Sequence, residues 1–113
     1  METQISNVGS FRLIHLTRRT RFADTLPEVK ESAEEAFSQG MVNIAIRFAD
    51  ESYLCSAAVS TLVVIFEETR DRGGEFAIVG PNGSIRHLLT IIDLDRIIRI
   101  VNNPEELKTA SYA

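Results

Sequence analysis

Apolar residues recur along this chain in two rhythms, a period of two and a period near 3.6, and the rhythms take turns. Phe11, Leu13 and His15 fall on one side of a strand over residues 11–16, with Ile14 and Leu16 beside them. Leu26, Val29, Ala33, Ala36 and Phe37 then follow helical spacing. Thr25 and Glu28 form an S/T-x-x-E capping box ahead of them, Pro27 lies in the first turn, and Gly40 supplies the stop. Val42, Ile44, Ile46 and Phe48 alternate with Asn43, Ala45 and Arg47 in a second strand over 41–48.

Residues 57–72 are ambiguous on propensity alone, because Thr61 to Phe66 is a run that favours strands. Length decides for a helix. Ala58, Val59, Leu62, Ile65 and Phe66 keep helical spacing into Glu67-Glu68-Thr69-Arg70, and the segment ends at Gly73-Gly74. Glu75 to Val79 reads as a short strand, and Gly80-Pro81-Asn82-Gly83 is turn chemistry. Ser84 is placed to cap a helix carrying Ile85, Leu88, Leu89 and Ile92. Asp93 and Asp95 close that helix and start the next turn; Ile97 to Val101 is a last strand, and Pro104-Glu105-Glu106-Leu107 opens a terminal helix. The order β-α-β-α-β-α-β-α predicts a single α/β domain with a mostly parallel or mixed sheet covered by helices. Residues 1–7 read as a loose polar start, 8–110 as the domain, and 111–113 as a tail.

The chain has 113 residues, enough for one core and no second. A formal net charge of −4 argues against a surface built to neutralise nucleic-acid phosphates. Arg18, Arg19 and Arg21 are a local exception, either a docking patch for an acidic partner or a solvated loop balanced by Glu28, Glu31, Glu34 and Glu35; the solvated loop is the expectation. No window is apolar for the roughly 18 residues a membrane span needs, and the start lacks signal-peptide character. One cysteine, Cys55, allows no internal disulfide and suits a reducing cytoplasm.

The second half resembles the STAS domain of anti-sigma-factor antagonists. In that family an apolar strand end leads into an Asp-Ser-Ser/Thr-Gly-Leu-Gly loop that starts a helix. Here the run is Tyr53-Leu54-Cys55-Ser56-Ala57-Ala58-Val59-Ser60, and the helix runs on to Arg70-Asp71-Arg72-Gly73-Gly74. Leu88 to Ile98 is similar to the family's leucine-rich helix and following turn, and Asn102-Asn103-Pro104-Glu105-Glu106-Leu107 to its closing turn. The resemblance spans roughly residues 8–110. It implies a protein partner, an anti-sigma factor or histidine-kinase-like ATPase, which in relatives phosphorylates the second hydroxyl of the loop. Phosphate there adds about −1.5 to −2 charges to a surface the partner must bury, and the partner lets go.

This chain departs from the pattern at that point. Cys55 stands for the family's Asp, Ala57 for the phosphorylated hydroxyl and Ala58 for the glycine. Ser56 is the remaining phosphorylation candidate, with a plain helix N-cap as the competing expectation. Near the N-terminus, Arg18-Arg19-Thr20-Arg21-Phe22 replaces the family's Gly-x-Leu-Asp. The expected contact surface is Tyr53, Cys55, Ser56, Ala57, Ala58 and Ser60 with the exposed side of their helix. An assembly module, with a homodimer, is the alternative. A cysteine phosphatase needs Cys-x5-Arg, but Thr61 stands six positions after Cys55, so Cys55 is expected to be a small buried hydrophobe rather than a nucleophile. No Walker A motif, no G-x-G-x-x-G and no metal spacing is present, so no cofactor is expected.

Overall fold

The computed structural model describes residues 2–20 and 22–108. Arg21, the end of the expected domain and the 111–113 tail lie outside them. Phe11–Leu16 (β2) is a strand buried on both sides. Ile14 and Leu16 point to one core cluster and Phe11 and Leu13 to another. Beside it in parallel run Asn43–Phe48 (β3), Phe76–Val79 (β4) and Arg99–Val101 (β5). Ile44, Ala45 and Ile46 are fully buried, as a central strand requires.

The start expected to be loose is paired into the sheet from Thr3 onward. Thr3–Val8 (β1) pairs antiparallel with β2, from Thr3 opposite Leu16 to Val8 opposite Phe11. Gly9 at φ +59 is the first residue of the two-residue connection, where a type II′ hairpin favours glycine. The sheet order is β1-β2-β3-β4-β5. It is mixed because of that added edge strand.

Three helices lie on one side: Pro27–Ser38 (α1), Ser56–Asp71 (α2) and Gly83–Ile91 (α3). They bury Val29, Ala33, Ala36, Ala58, Leu62, Ile65, Ile85 and Leu89 against Ile14, Leu16, Ile44, Ile46 and Ile78. Each fully buried large aliphatic contributes roughly 1.5–3 kcal/mol. The other side holds Phe11, Leu13, Ala45, Ala77, Val79 and Val101, met by Leu107. Leu107 belongs to a 3-10 helix over Pro104–Lys108, where a terminal α-helix was expected. Gly74 sits where any Cβ would lie 1.9 Å from the Val42 carbonyl oxygen, so only glycine lets the α2–β4 turn pass β3 this closely.

Two expected caps move. The Thr25–Glu28 capping box does not form. Leu26 occupies the N-cap of α1 in the left-handed region (φ 54) without a side-chain cap, and its N–H donates to Asp24 Oδ1 at 2.9 Å. Glu28 is drawn away to Arg18 instead. At α3 the cap is Asn82, whose Oδ1 accepts from Ile85 N at 2.9 Å, so Ser84 falls inside the first turn. No described helix is long and apolar enough to cross a membrane.

Candidate functional site

The carboxyl ends of β2, β3 and β4 open into three loops, and two buried hydroxyls draw those loops together over the start of α2. Thr20 and Ser52 are each 1% exposed. Thr20 N donates to Ser52 Oγ at 3.0 Å, and Thr20 Oγ1 donates to the Tyr53 carbonyl at 2.5 Å. Asn82 Nδ2 donates to the Ser52 carbonyl at 2.8 Å, which ties in the third loop. Among the described residues no buried side-chain polar atom lacks a partner, as a stable interior demands. Ala23, Leu26 and Glu51 all hold positive φ in these loops. Each such residue costs about 1–2 kcal/mol, so the cross-loop bonds must hold them there.

Cys55 is the N-cap of α2, extended at φ −85 and ψ 173. Its Sγ accepts from Ala58 N at 3.5 Å and donates to the Asp24 carbonyl at 3.3 Å. Cys55 packs against the core as expected of a small hydrophobe, but it is half-buried rather than fully buried and also caps the helix. Ser56 is consequently not the cap. It is the exposed first residue of the helix, and its carbonyl accepts from Ser60 Oγ at 3.0 Å. Ala57 is half-buried at the surface, whereas Ala58 turns fully into the core. Of the expected contact residues, Tyr53, Cys55, Ser56, Ala57 and Ser60 therefore share one surface, and Ala58 serves packing beneath it.

Apolar ground flanks this start on both sides. Phe22, which is 84% exposed, and Ala23 form a groove with Tyr53, Cys55, Ser56 and Ala57. On the other side, Leu54, Val59, Leu88 and Ile92 form a groove between α2 and α3, again with Cys55 and Ser56. The first turn of α2 carries no acidic residue, so the partial positive charge of the helix end is left without an acidic neighbour in that turn.

The arginine cluster resolves into structural pairs where it is described. Arg18 grips both oxygens of Glu28, at 2.5 and 2.8 Å, and both oxygens of Asp24, while its Nε lies 3.0 Å from Glu2. The hydrogen bonds from Arg18 hold the Glu28 carboxyl down at about 2, against opposition from burial, and the same bonds raise Arg18 above its ordinary value. Arg19 meets Glu51 at 3.3 Å in an exposed pair worth little. Thr20, Ser52, Asn82 and the Arg18 clamp carry no local signal in the sequence; the cross-loop ties join residues 30 to 33 positions apart.

The STAS domain family profile matches residues 7–107. A candidate anti-sigma factor antagonist homolog from Thermotoga neapolitana is 30% identical over 73 residues, and the match spans 65% of this chain and 65% of that relative's length. The crystal structure of a candidate anti-sigma factor antagonist from Thermotoga maritima superposes with a TM-score of 0.82 at 22% identity, covering 93% of this chain and 90% of that one. The phosphorylated form of the Bacillus cell fate determinant SpoIIAA gives 0.65 at 17% identity, covering 93% and 96%. At such identities the solved structures speak for the fold, and the family profile for descent. The chain belongs to the STAS domain family and is similar within it to anti-sigma factor antagonists.

Proposed function

We propose that this protein is a non-enzymatic binding partner of an anti-sigma factor or histidine-kinase-like ATPase in a reducing cytoplasm. It engages that partner through the start of α2 and is not phosphorylated at the family's usual position. The observation that carries this reading is the surface at Tyr53, Cys55, Ser56, Ala57 and Ser60. It is small, free of acid in its first helical turn, and set between two apolar grooves. Ala57 offers no hydroxyl where relatives receive phosphate, so the helix end stays in the state that a partner can bury. Ser56 is exposed, but it belongs to the helix itself and stands one position before the usual acceptor.

Affinity capture from the native lysate, followed by mass spectrometry, tests the reading. The wild-type chain is expected to recover an ATPase of the histidine-kinase-like type. Ala57→Glu is expected to weaken that complex at least about tenfold, because a charge at the helix end must be desolvated on binding. The same substitution leaves the fold intact, since an acid in a first turn is favourable by about 0.3–1 kcal/mol. Recovery of no such ATPase, or equal binding by Ala57→Glu, overturns the proposal. Phosphate on Ser56 after incubation with the recovered kinase and ATP overturns its second half.

A further inference from the structure

Among the described residues nothing pairs with the outer edge of β1, and Thr3–Val8 carries no charged residue. Thr17 N donates to the Glu2 carbonyl at 2.7 Å, which makes Glu2 and Thr17 a hydrogen-bonded pair of the β1–β2 ladder. Such pairs alternate in an antiparallel ribbon, so Gln4, Ser6 and Val8 also turn their backbone groups toward β2. The N–H and C=O groups of Thr3, Ile5 and Asn7 therefore face outward, where β1 ends the sheet and no described strand pairs with them. Sheet edges are usually guarded by charge, proline, bulges or shortness. Thr3–Val8 has no charged residue and no proline, its register with β2 is unbroken, and it is six residues long. The opposite edge, β5, is three residues long and carries Arg99.

We propose that β1 pairs antiparallel with β1 of a second copy of this chain, about a two-fold axis at Ile5, joining two five-stranded sheets into one. In that register Ile5 faces Ile5, Thr3 faces Asn7 and Asn7 faces Thr3. All three outward-facing residues of each copy then exchange both backbone hydrogen bonds. A shift by two residues leaves only two of the three positions paired within Thr3–Val8. Ile5, 46% exposed and the one large apolar side chain on the outward positions, lands on the axis and packs against its own copy.

Charge favours a second copy over an unrelated strand. An isologous contact sets every group near its own equivalent, so a charged edge repels itself. This edge has no charge to repel. The ionised groups flanking it are already engaged within each copy, Glu2 with Arg18 at 3.0 Å and Lys108 with Glu105 at 3.3 Å. Two six-residue strands bury less than the roughly 1,200 Å² of a stable interface, so the association is reversible and concentration-dependent. The start of α2 lies at the carboxyl ends of β2 to β4, away from this edge. A dimer formed here exposes two partner surfaces, and the inference does not depend on what those surfaces bind.

Sedimentation velocity over roughly 10 µM to 1 mM tests it in the full chain. The wild-type sedimentation coefficient is expected to climb from the monomer toward the dimer value. Ile5→Pro removes one outward N–H and keeps the inward bonds of Gln4 and Ser6. Ile5→Lys sets two like charges against each other on the axis. Both variants are expected to remain monomeric at the highest concentration, with the wild-type melting temperature in dilute solution. A wild-type chain that stays monomeric throughout, or association that survives in either folded variant, overturns the inference. Ile5→Lys is expected to capture the partner as the wild type does, so failure of self-pairing and failure of partner binding are read separately.

Discussion

Helices α1 and α2 both begin where a parallel strand ends, yet their first turns are built in opposite ways. The start of α1 is occupied. Glu28 lies in its first turn, Asp24 accepts from Leu26 N, and Arg18 clamps both carboxylates. The start of α2 has no acid, only a thiol cap and two alanines, one of them at the surface. One helix end is neutralised from within the chain. The other has no such clamp and lies beside apolar side chains such as Phe22 and Tyr53, as the proposed partner surface requires; α3 likewise starts without an acid, under its Asn82 cap.

The largest expected effect comes from breaking the occupied end. Arg18→Ala leaves the Asp24 side chain, only 9% exposed, and Glu28 beside each other without their cation. A loss of about 2–3 kcal/mol in urea denaturation is expected, less than for a fully buried pair because Arg18 is partly exposed. The acid limb should change with it. The Glu28 carboxyl lies at about 2 in the fold, below its ordinary 4.5, so the unfolded chain binds protons first as pH falls. That contribution to stability is full above pH 4.5 and is lost on the way down to about 2. In Arg18→Ala this segment of the stability–pH curve flattens; an unchanged limb would show that the clamp does not act on Glu28.

At the open end the expected effect is smaller. Cys55→Ala removes the acceptor for Ala58 N and should cost about 1 kcal/mol, whereas Cys55→Ser restores it and should cost at most a few tenths. Equal melting curves for the two variants would mean that the thiol does not cap. The smallest effect lies outside both helix starts and serves as a control for them. Burial first, and then Arg47, push the His15 imidazole below its ordinary 6.5, with Asp50 pulling the other way. The fold favours neutral His15, so stability should fall slightly as pH drops below 6.5. His15→Gln should remove that slope, measured by thermal melts across pH 5 to 7.5, while leaving the acid limb due to Glu28 unchanged.

What the sequence disclosed follows from range. Strands β2 to β4 and all three helices bury faces whose spacing can be counted, so residues such as Ile44, Leu62 and Leu89 announced their elements. β1 did not announce itself. Only Val8 of Thr3–Val8 packs on a core cluster, and the strand is held by pairing with β2 rather than by burial of its own side chains. The Thr25–Glu28 spacing was correct for a capping box, but Arg18, ten positions away from Glu28, competes for the same carboxylate and wins with two hydrogen bonds. The start of α2 was legible through the family resemblance, because the loop run is contiguous. Its supports were not, since Thr20, Ser52 and Asn82 meet only after the sheet has formed.

Those supports bear on how binding unfolds in time. A loop that is already pinned by Thr20, Ser52 and Asn82 has few rotatable bonds left to freeze when another molecule arrives. Encounter and fit then merge into one step, and the lifetime of the complex rather than its rate of formation separates a good partner from a poor one.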